Sequence, residues 1–167
     1  MFMDPETTSL KINIIGTNTN DDPSFRYKMP RITVKYEGRG NGKKTCLTNL
    51  KDVAESLHRT PDEIIKFMGI DIGAQSKYIE KEQCHILNGH HIISDINNSL
   101  NKYIDIFVIC PKCNLPEIPK YKVKNKTIKM KCLACGNRYT LDSTDHKLCS
   151  FIIAKTKKLK QQSQNNK

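Results

Sequence analysis

The sequence contains no tryptophan, and aromatic residues make up only 7% of its 167 residues. Hydrophobic residues of all kinds reach 37%, which supports a modest core in one ordinary domain or two small ones. No apolar stretch follows a basic N-terminal segment, as a secretory signal would require, and no apolar run is long enough to span a bilayer. These absences predict an intracellular, cytoplasmic protein that has no membrane partner.

Acidic residues are scarce relative to basic ones. The chain has 17 Asp and Glu against 28 Lys and Arg, a formal net charge of +11. A charge of this sign and size favours an anionic partner, most often RNA or a ribonucleoprotein surface. The alternative is a charged, solvated surface without a nucleic-acid partner, and composition alone leaves both open.

No complete catalytic set is evident from the spacing of residues. The segment 38–45 has the sequence Gly-Arg-Gly-Asn-Gly-Lys-Lys-Thr and loosely matches a phosphate-binding loop. Lys43 stands where that loop needs its second glycine, and the segment is predicted to join two strands rather than a strand and a helix. His85, His90 and His91 lie beside a predicted turn, but no second cluster completes a metal site. The sequence therefore does not predict an independent GTPase, and it predicts no organic cofactor.

Four of the seven cysteines form two Cys-x-x-Cys pairs, Cys110 with Cys113 and Cys132 with Cys135. In an intracellular protein such pairs indicate metal binding more often than disulfides. Two pairs separated by short strand-like segments are typical of a zinc ribbon, in which four thiolates enclose one zinc ion. Because four protein ligands leave zinc no open position, its predicted role is structural. The alternative is four reduced core thiols, which would not require this spacing.

The remaining cysteines, Cys46, Cys84 and Cys149, lie in apolar sequence contexts. Small buried hydrophobic residues are the favoured interpretation for all three.

Hydrophobic periodicity before the first cysteine pair predicts strands alternating with helices. The predicted strands cover 31–36, 44–48, 77–80, 84–87 and 106–109. The predicted helices cover 50–57 after an Asn49 cap and 61–69 after a capping box of Thr60 and Glu63. Ser94 or Asp95 is predicted to cap a third helix, with Ile96, Leu100, Tyr103 and Ile104 facing inward. Short strands are predicted over 121–123, 127–131 and 137–141.

These elements define the predicted fold class, an α/β two-layer domain followed by a C-terminal four-cysteine zinc ribbon with flexible termini. The α/β domain is predicted over residues 23–109 and the ribbon over 110–153. A flexible N-terminal arm is predicted over 1–22, where the short apolar piece 12–15 forms an edge strand or nothing regular. A basic disordered tail is predicted over 154–167.

Several segments, in order along the chain, resemble the start of eukaryotic translation initiation factor 5. They are Phe-Arg-Tyr-Lys-Met-Pro-Arg over 25–31, the glycine-rich segment 38–45, Ile-Gly-Ala-Gln over 72–75, Asn-Gly-His over 88–90, the two cysteine pairs, and His-Lys-Leu-Cys over 146–149. The beta subunit of initiation factor 2 shares the α/β-plus-ribbon plan but lacks the first, third and last of these motifs. The sequence is therefore identified as similar to the N-terminal domain of factor 5, from about residue 23 to residue 153.

This resemblance implies an activity in translation initiation. Members of the family stimulate GTP hydrolysis by initiation factor 2, bound with initiator tRNA on the small ribosomal subunit, and are not themselves the enzyme. The matching arginine is Arg26, which would act in trans as an arginine finger from a flexible arm. Lys44 and Lys66 match supporting positions, and each would contact the partner or RNA phosphates, or else be an ordinary surface lysine.

The resemblance also implies partners and a second role. The expected partners are the gamma and beta subunits of initiation factor 2, initiator tRNA, the small ribosomal subunit and mRNA. The second role is to occupy the small subunit near the start codon and favour codon–anticodon pairing.

Family members usually carry a C-terminal helical-repeat domain that recruits the beta subunit of factor 2 and factor 3. This sequence ends at Lys167 without one, which leaves open whether it is a fragment or a natural minimal form. Three hypotheses follow from the sequence: a GTPase activator that depends on Arg26, a passive ribosome- or RNA-binding module that resembles the beta subunit, and a zinc-stapled scaffold without affinity for RNA.

Overall fold

A computed structural model of the chain describes residues 11–14 and 27–165. The elements in chain order are β1 (Lys11–Asn13), β2 (Lys28–Pro30), β3 (Val34–Glu37), β4 (Lys44–Leu47), α1 (Leu50–Ser56), α2 (Pro61–Ile72), β5 (Ser76–Ile79), β6 (Cys84–Asn88), α3 (Ile93–Phe107), β7 (Tyr121–Lys124), β8 (Thr127–Lys131), β9 (Arg138–Leu141) and α4 (Leu148–Asn165). The predicted mixed α/β fold is confirmed, with the four-cysteine segment in its C-terminal part.

The first large element is a four-stranded antiparallel sheet in the order β3-β4-β6-β5. Helix α2 lies against β5 and β6 and also contacts α1, α3 and α4, so it occupies the centre of the molecule. One continuous core joins the sheet to the helices and extends into the ribbon segment. Its largest buried side chains include Leu47, Leu50, Phe67, Leu87, Tyr103 and Phe107.

The predicted strand over 31–36 is interrupted in the structure, which has β2 before residue 31 and β3 from Val34 onward. The side chain of Asn49 holds the backbone between the two strands: its Oδ1 accepts from the Thr33 N–H at 2.8 Å and its Nδ2 donates to Arg31 O at 2.7 Å. The Asn49 side chain therefore bonds to the segment between β2 and β3 and does not accept a capping bond from α1, so the predicted cap is wrong. Within the predicted arm, β1 pairs with β2 and places Ile14 in the core.

Helix α2 begins at Pro61 as predicted. Proline fits the first helical position because the N–H that it lacks would have no intrahelical acceptor there. Thr60 makes no side-chain cap, and the predicted capping box is wrong. The helix also continues beyond Gly69 to Ile72, and Gly73 closes it in the left-handed conformation with φ 77°. Position 69 requires glycine because the Ala74 carbonyl lies over it, and an added Cβ would come within 2.8 Å of the Ala74 oxygen.

The predicted strand over 106–109 is wrong, because α3 runs to Phe107. The predicted cap at Ser94 or Asp95 is also wrong, because α3 begins at Ile93 and both residues lie in its first turn. Tyr103, Ile104 and Phe107 continue the helical spacing of the buried face that Ile96 and Leu100 begin. A buried helical segment and a buried strand both appear in a sequence as a short apolar run. Here the helical spacing before residue 106 shows that the run continues α3.

The ribbon segment forms a three-stranded antiparallel sheet in the order β7-β8-β9, at the positions the sequence predicted. The expected disordered tail from residue 154 onward is instead helical as far as Asn165, because α4 packs its first turns on α2 and β8. Leu148, Cys149 and Ile152 of this helix are buried, and Lys155 Nζ lies 2.8 Å from Asp62 of α2. No helix within residues 11–14 and 27–165 combines the length and apolarity needed to cross a membrane.

Arg59 connects the ribbon segment to the helices. Its guanidinium is buried and donates to the carbonyl oxygens of Phe107 at 2.7 Å, Ile118 at 2.8 Å and Pro119 at 3.3 Å. Nearby, the Tyr121 hydroxyl of β7 donates to the buried Glu63 carboxylate of α2. These bonds fix the chain between α3 and β7, and with it the position of the four cysteines.

Candidate functional site

The four cysteines of the two pairs meet at one point. The Sγ atoms of Cys110 and Cys135 are 3.7 Å apart, those of Cys113 and Cys132 are 3.6 Å apart, and all four lie within 4.8 Å of one another. Cys110 and Cys132 are fully buried, whereas Cys135 is exposed. The four side chains can therefore hold a metal ion at the edge of the core.

Two tight turns of the backbone bring the sulfurs together. The first turn follows α3, where the Asn114 N–H donates to Cys110 O at 2.9 Å and the Cys110 N–H donates to Leu115 O at 3.0 Å. The second follows β8, where the Gly136 N–H donates to Cys132 O at 3.1 Å, with Gly136 at φ 73°. Because each turn presents both of its sulfurs on the same side, the Cys-x-x-Cys spacing is sufficient to build half of the site.

Two thiols of the cluster differ in how readily they ionise. Burial by itself opposes ionisation of Cys110, but the N–H groups of Cys113 and Lys112 and the Cys135 thiol lower its pKa to about 6. Burial together with the neighbouring sulfurs raises the pKa of Cys113 to about 12. The cluster therefore favours one thiolate over several, and a bound cation would favour ionisation of all four.

Lys44 lies at one end of the four-stranded sheet. It begins β4, opposite Glu37 of β3 and Asn88 of β6, and its side chain is exposed. The 3-10 turn Gly40–Gly42 joins β3 to β4, so the glycine-rich segment connects two antiparallel strands and is not a phosphate-binding loop. The loop after β6 is bonded to this turn, because the Gly89 N–H donates at 2.8 Å to the carbonyl oxygen of Lys43, the residue before Lys44.

Lys66 lies on the exposed side of α2, away from this turn. Its ammonium is 5.9 Å from the centre of the Phe151 ring of α4. The two predicted supporting lysines therefore belong to different elements, and each is accessible to a partner.

Arg26, the predicted arginine finger, lies outside the described residues. Its neighbour Tyr27 is held from two sides: its carbonyl accepts from the Ile14 N–H at 3.0 Å, and its hydroxyl donates to Glu117 at 2.6 Å. Arg26 is therefore one peptide bond from a residue that is fixed between β1 and the segment leading to β7.

The histidines do not form a metal cluster with one another in the part of the chain that the structure describes. His90 stacks on the exposed Tyr36 ring at 4.4 Å, and His91 Nε2 lies 2.8 Å from Asn88 O. His146 stacks on Phe67 at 4.5 Å, and its Nδ1 accepts from the N–H of Leu148 at the start of α4.

Sequence reasoning missed the relation between Cys46 and Cys84. Both are buried, as predicted, but the structure joins them as a disulfide across β4 and β6. The signal that could have found them is the strand register, which pairs Cys46 with Ile86 and so places Cys84 two residues along the same face. Cys149 is a buried thiol, as predicted, and burial raises its pKa to about 11.

The exposed side of the β7-β8-β9 sheet is strongly cationic. Lys122 of β7 is directly opposite Lys129 of β8, and Lys131 of β8 is directly opposite Arg138 of β9. All four side chains are exposed. Like charges at directly opposed positions repel one another, and binding of an anion would relieve that repulsion.

Comparison with known proteins assigns the chain to a family. Residues 17–138, which include Arg26, both supporting lysines and the four cysteines, match the family model for a domain found in initiation factors 2B and 5. The chain is similar to eukaryotic translation initiation factor 5 of Mus musculus, with 44% identity over 133 residues that cover 79% of this chain and 31% of the relative. The corresponding protein of Caenorhabditis elegans is 39% identical over 138 residues, 83% of this chain and 31% of the relative. That of Saccharomyces cerevisiae is 38% identical over 144 residues, 86% of this chain and 35% of the relative.

The chain thus spans about a third of the length of these relatives. The family match covers most of the α/β part and both cysteine pairs; Lys44 lies on β4, Lys66 lies on α2, and the four cysteines lie in the turns that follow α3 and β8. The chain therefore belongs to the family defined by the shared domain of initiation factors 2B and 5, and the relatives that it matches there are initiation factor 5 proteins.

Proposed function

We propose that this chain is a translation initiation factor that stimulates GTP hydrolysis by initiation factor 2 in trans. The observation that carries the proposal is the family match over residues 17–138, together with relatives named as initiation factor 5. In this proposal the chain is not itself an enzyme. It supplies a side chain to the active site of the partner GTPase while that partner holds initiator tRNA on the small ribosomal subunit.

Arg26 is the residue proposed to enter the partner's active site. Phosphoryl transfer spreads negative charge over the γ-phosphate oxygens, and a guanidinium presents several donors to them in a fixed fork. Such an arginine increases the rate roughly a thousandfold or more. The anchoring of Tyr27 supports the role, because it attaches the arm to the folded part immediately beside the arginine.

Lys44 and Lys66 are proposed to support docking rather than chemistry. Lys44 projects from the end of the sheet beside the glycine-rich turn, and Lys66 projects from α2 beside Phe151. Their separation on the fold suits two contacts with a large partner, either its protein surface or RNA phosphates.

The metal is proposed to be zinc, bound as one structural ion by Cys110, Cys113, Cys132 and Cys135. A Zn–S distance of about 2.3 Å places neighbouring sulfurs of a regular tetrahedron about 3.8 Å apart. The observed separations of 3.6 and 3.7 Å fit that geometry. Zinc prefers thiolates, and its charge removes the obstacle to ionising all four cysteines. The β7-β8-β9 segment is therefore proposed to be a zinc ribbon.

The cationic surface favours RNA and ribosomal partners. Lys122, Lys129, Lys131 and Arg138 form two like-charge pairs on the exposed ribbon sheet, and the chain carries a net charge of +11. These charges suit a position on the small ribosomal subunit close to initiator tRNA and mRNA, where the factor would favour pairing at the start codon. The same surface supports the second candidate function, a passive RNA-binding module that resembles the beta subunit of factor 2 and does not depend on Arg26.

The test is single-turnover GTP hydrolysis in reconstituted initiation complexes, with ribosome binding measured in parallel. We expect Arg26→Ala to abolish the rate enhancement and leave binding intact. Arg31→Ala is the matched control, because Arg31 is an exposed arginine at the other end of β2. If the native chain gives no enhancement, the activator proposal fails and the passive module remains. If Arg26→Ala stimulates as well as the native chain, the role of Arg26 as an arginine finger fails.

A further inference from the structure

The outer face of the four-stranded sheet carries a pair of cysteines that the proposed GTPase activation does not use. Cys46 of β4 and Cys84 of β6 are diagonal neighbours on this face, with Cα atoms 6.2 Å apart. This separation lies within the range of about 4.4–6.8 Å that a disulfide requires. The disulfide that joins them in the structure therefore fits the spacing of the two strands.

These cysteines lie in a small apolar cluster of their own, separate from the main core. Ile86 completes the cluster and Ile79 packs against it, and each cysteine is only 4% exposed. A cavity of about 390 Å³ opens beside them and is lined by both cysteines, Lys35 and Glu82, among other residues. We expect this cavity to be the route by which a small molecule reaches the two sulfurs.

The side chains around the cluster carry charges of both signs. Lys35 is directly opposite Cys46 in the sheet, and Lys77 is directly opposite Ile86 on the same face. Nearby cations promote thiolate formation. Glu37 binds Lys35 at 2.9 Å and Glu82 lines the same cavity, so the site is mixed in charge rather than purely cationic.

We propose that Cys46 and Cys84 form a reversible redox site that exchanges with low-molecular-weight disulfides of the glutathione type. One cysteine thiolate attacks a sulfur of the disulfide, forms a mixed disulfide and releases one thiolate. The second cysteine then attacks the protein sulfur of the mixed disulfide and releases the other half as a thiol. In sum, two protein thiols are oxidised to one disulfide, and one small disulfide is reduced to two thiols.

Oxidation at this site would tie together the two central strands of the sheet. The bond closes a loop with a sequence separation of 38, which contains α1 and α2. Restricting that loop in the unfolded chain should raise Tm by on the order of 10 °C. In a reducing compartment the pair would remain as two thiols until oxidant accumulates.

The experiment uses the metal-loaded chain equilibrated in glutathione buffers that run from reducing to oxidising. Thiols are alkylated at each point, and peptides are mapped without reduction while bound metal is measured in the same samples. We expect one cross-link, between the peptides that contain Cys46 and Cys84, to form with metal retained, to disappear on adding dithiothreitol, and to accompany the rise in Tm.

Three variants sharpen the test. Cys46→Ser and Cys84→Ser should abolish the cross-link and trap a glutathione adduct on the remaining cysteine of the pair. Cys149→Ser is the matched control, because it removes a buried cysteine in α4 and should leave the cross-link unchanged. The proposal is overturned if both cysteines stay reduced in fully oxidising buffer, or if cross-links form at Cys149 or at the metal-binding cysteines instead. Mapping of the native chain decides this even where a variant folds poorly, and neither outcome depends on GTPase activation.

Discussion

Replacing Arg59 with methionine should destabilise the chain strongly, although this residue lies in no predicted site. Its guanidinium donates to the carbonyls of Phe107, Ile118 and Pro119, all of which lie in or beside the connection from α3 to β7. A hydrogen bond from a charged donor contributes about 1.5–3 kcal/mol, and an unpaired buried carbonyl costs a similar amount. Methionine would fill much of the volume and bond to none of the three oxygens.

The expected loss in the free energy of unfolding is about 3–5 kcal/mol, because bonds that share one guanidinium do not add fully and because burying the arginine itself has a desolvation cost. Arg59→Lys should lose less, since an ammonium retains the charge and three donors but cannot reproduce the planar fork. Arg138→Met is the matched control, because Arg138 is exposed on β9, and its effect should stay within about 0.5 kcal/mol.

The assay is urea unfolding of the metal-loaded chain, followed by circular dichroism, with the three variants compared at equal metal content. A loss below about 1 kcal/mol for Arg59→Met would show that these carbonyl bonds do not hold the connection together. An equal loss in Arg138→Met would show that arginine content, rather than burial, determines the effect.

Three other predictions concern the metal, pH and the glycine-rich turn. Removing the metal with a chelator, or substituting Cys113→Ser, should unfold β7-β8-β9, because metal binding contributes on the order of 10 kcal/mol to the stability of such sites. Circular dichroism should show a loss of strand signal after chelation, and adding zinc should restore it. Burial lowers the pKa of His146 below its ordinary 6.5, so the unfolded chain binds more protons than the folded chain near this pH. The free energy of unfolding should therefore fall as pH drops through 6.5. Urea titrations at several pH values should show a smaller pH dependence for His146→Asn, and an unchanged dependence would contradict this reasoning. Gly38→Ala should lower the free energy of unfolding by roughly 1–3 kcal/mol, because Gly38 has φ 84° and the added Cβ would collide with the Gly42 carbonyl. Gly42→Ala is the control and should be tolerated, because the space around Gly42 is open. Thermal unfolding of both variants checks this.

The parts of the fold that follow from local chemistry were predictable from the sequence. The spacing of the two cysteine pairs places all four sulfurs in one cluster, because each Cys-x-x-Cys turn orients its own pair and the strands between them are short. Pro61 fixes the start of α2 for a similar reason, since its backbone preference acts within one turn of helix.

Features that depend on distant partners were not predictable. Glu63 has the spacing of a capping residue, but in the fold it accepts a hydrogen bond from Tyr121 across the ribbon junction. Gly69 has the sequence signature of a helix end, yet it lies inside α2, where the Ala74 carbonyl leaves no space for a larger side chain. Cys46 and Cys84 become neighbours only once the register of β4 and β6 is known. In each case a tertiary contact overrides a valid local preference.

The proposed activation of a partner GTPase depends on Arg26. It can be tested by the single-turnover rate of GTP hydrolysis in initiation complexes saturated with the native chain, Arg26→Ala or Arg26→Lys. We expect an enhancement of roughly a thousandfold by the native chain, almost none with alanine, and little recovery with lysine, which lacks the guanidinium fork. Equal rates for all three proteins at matched occupancy would contradict the claim.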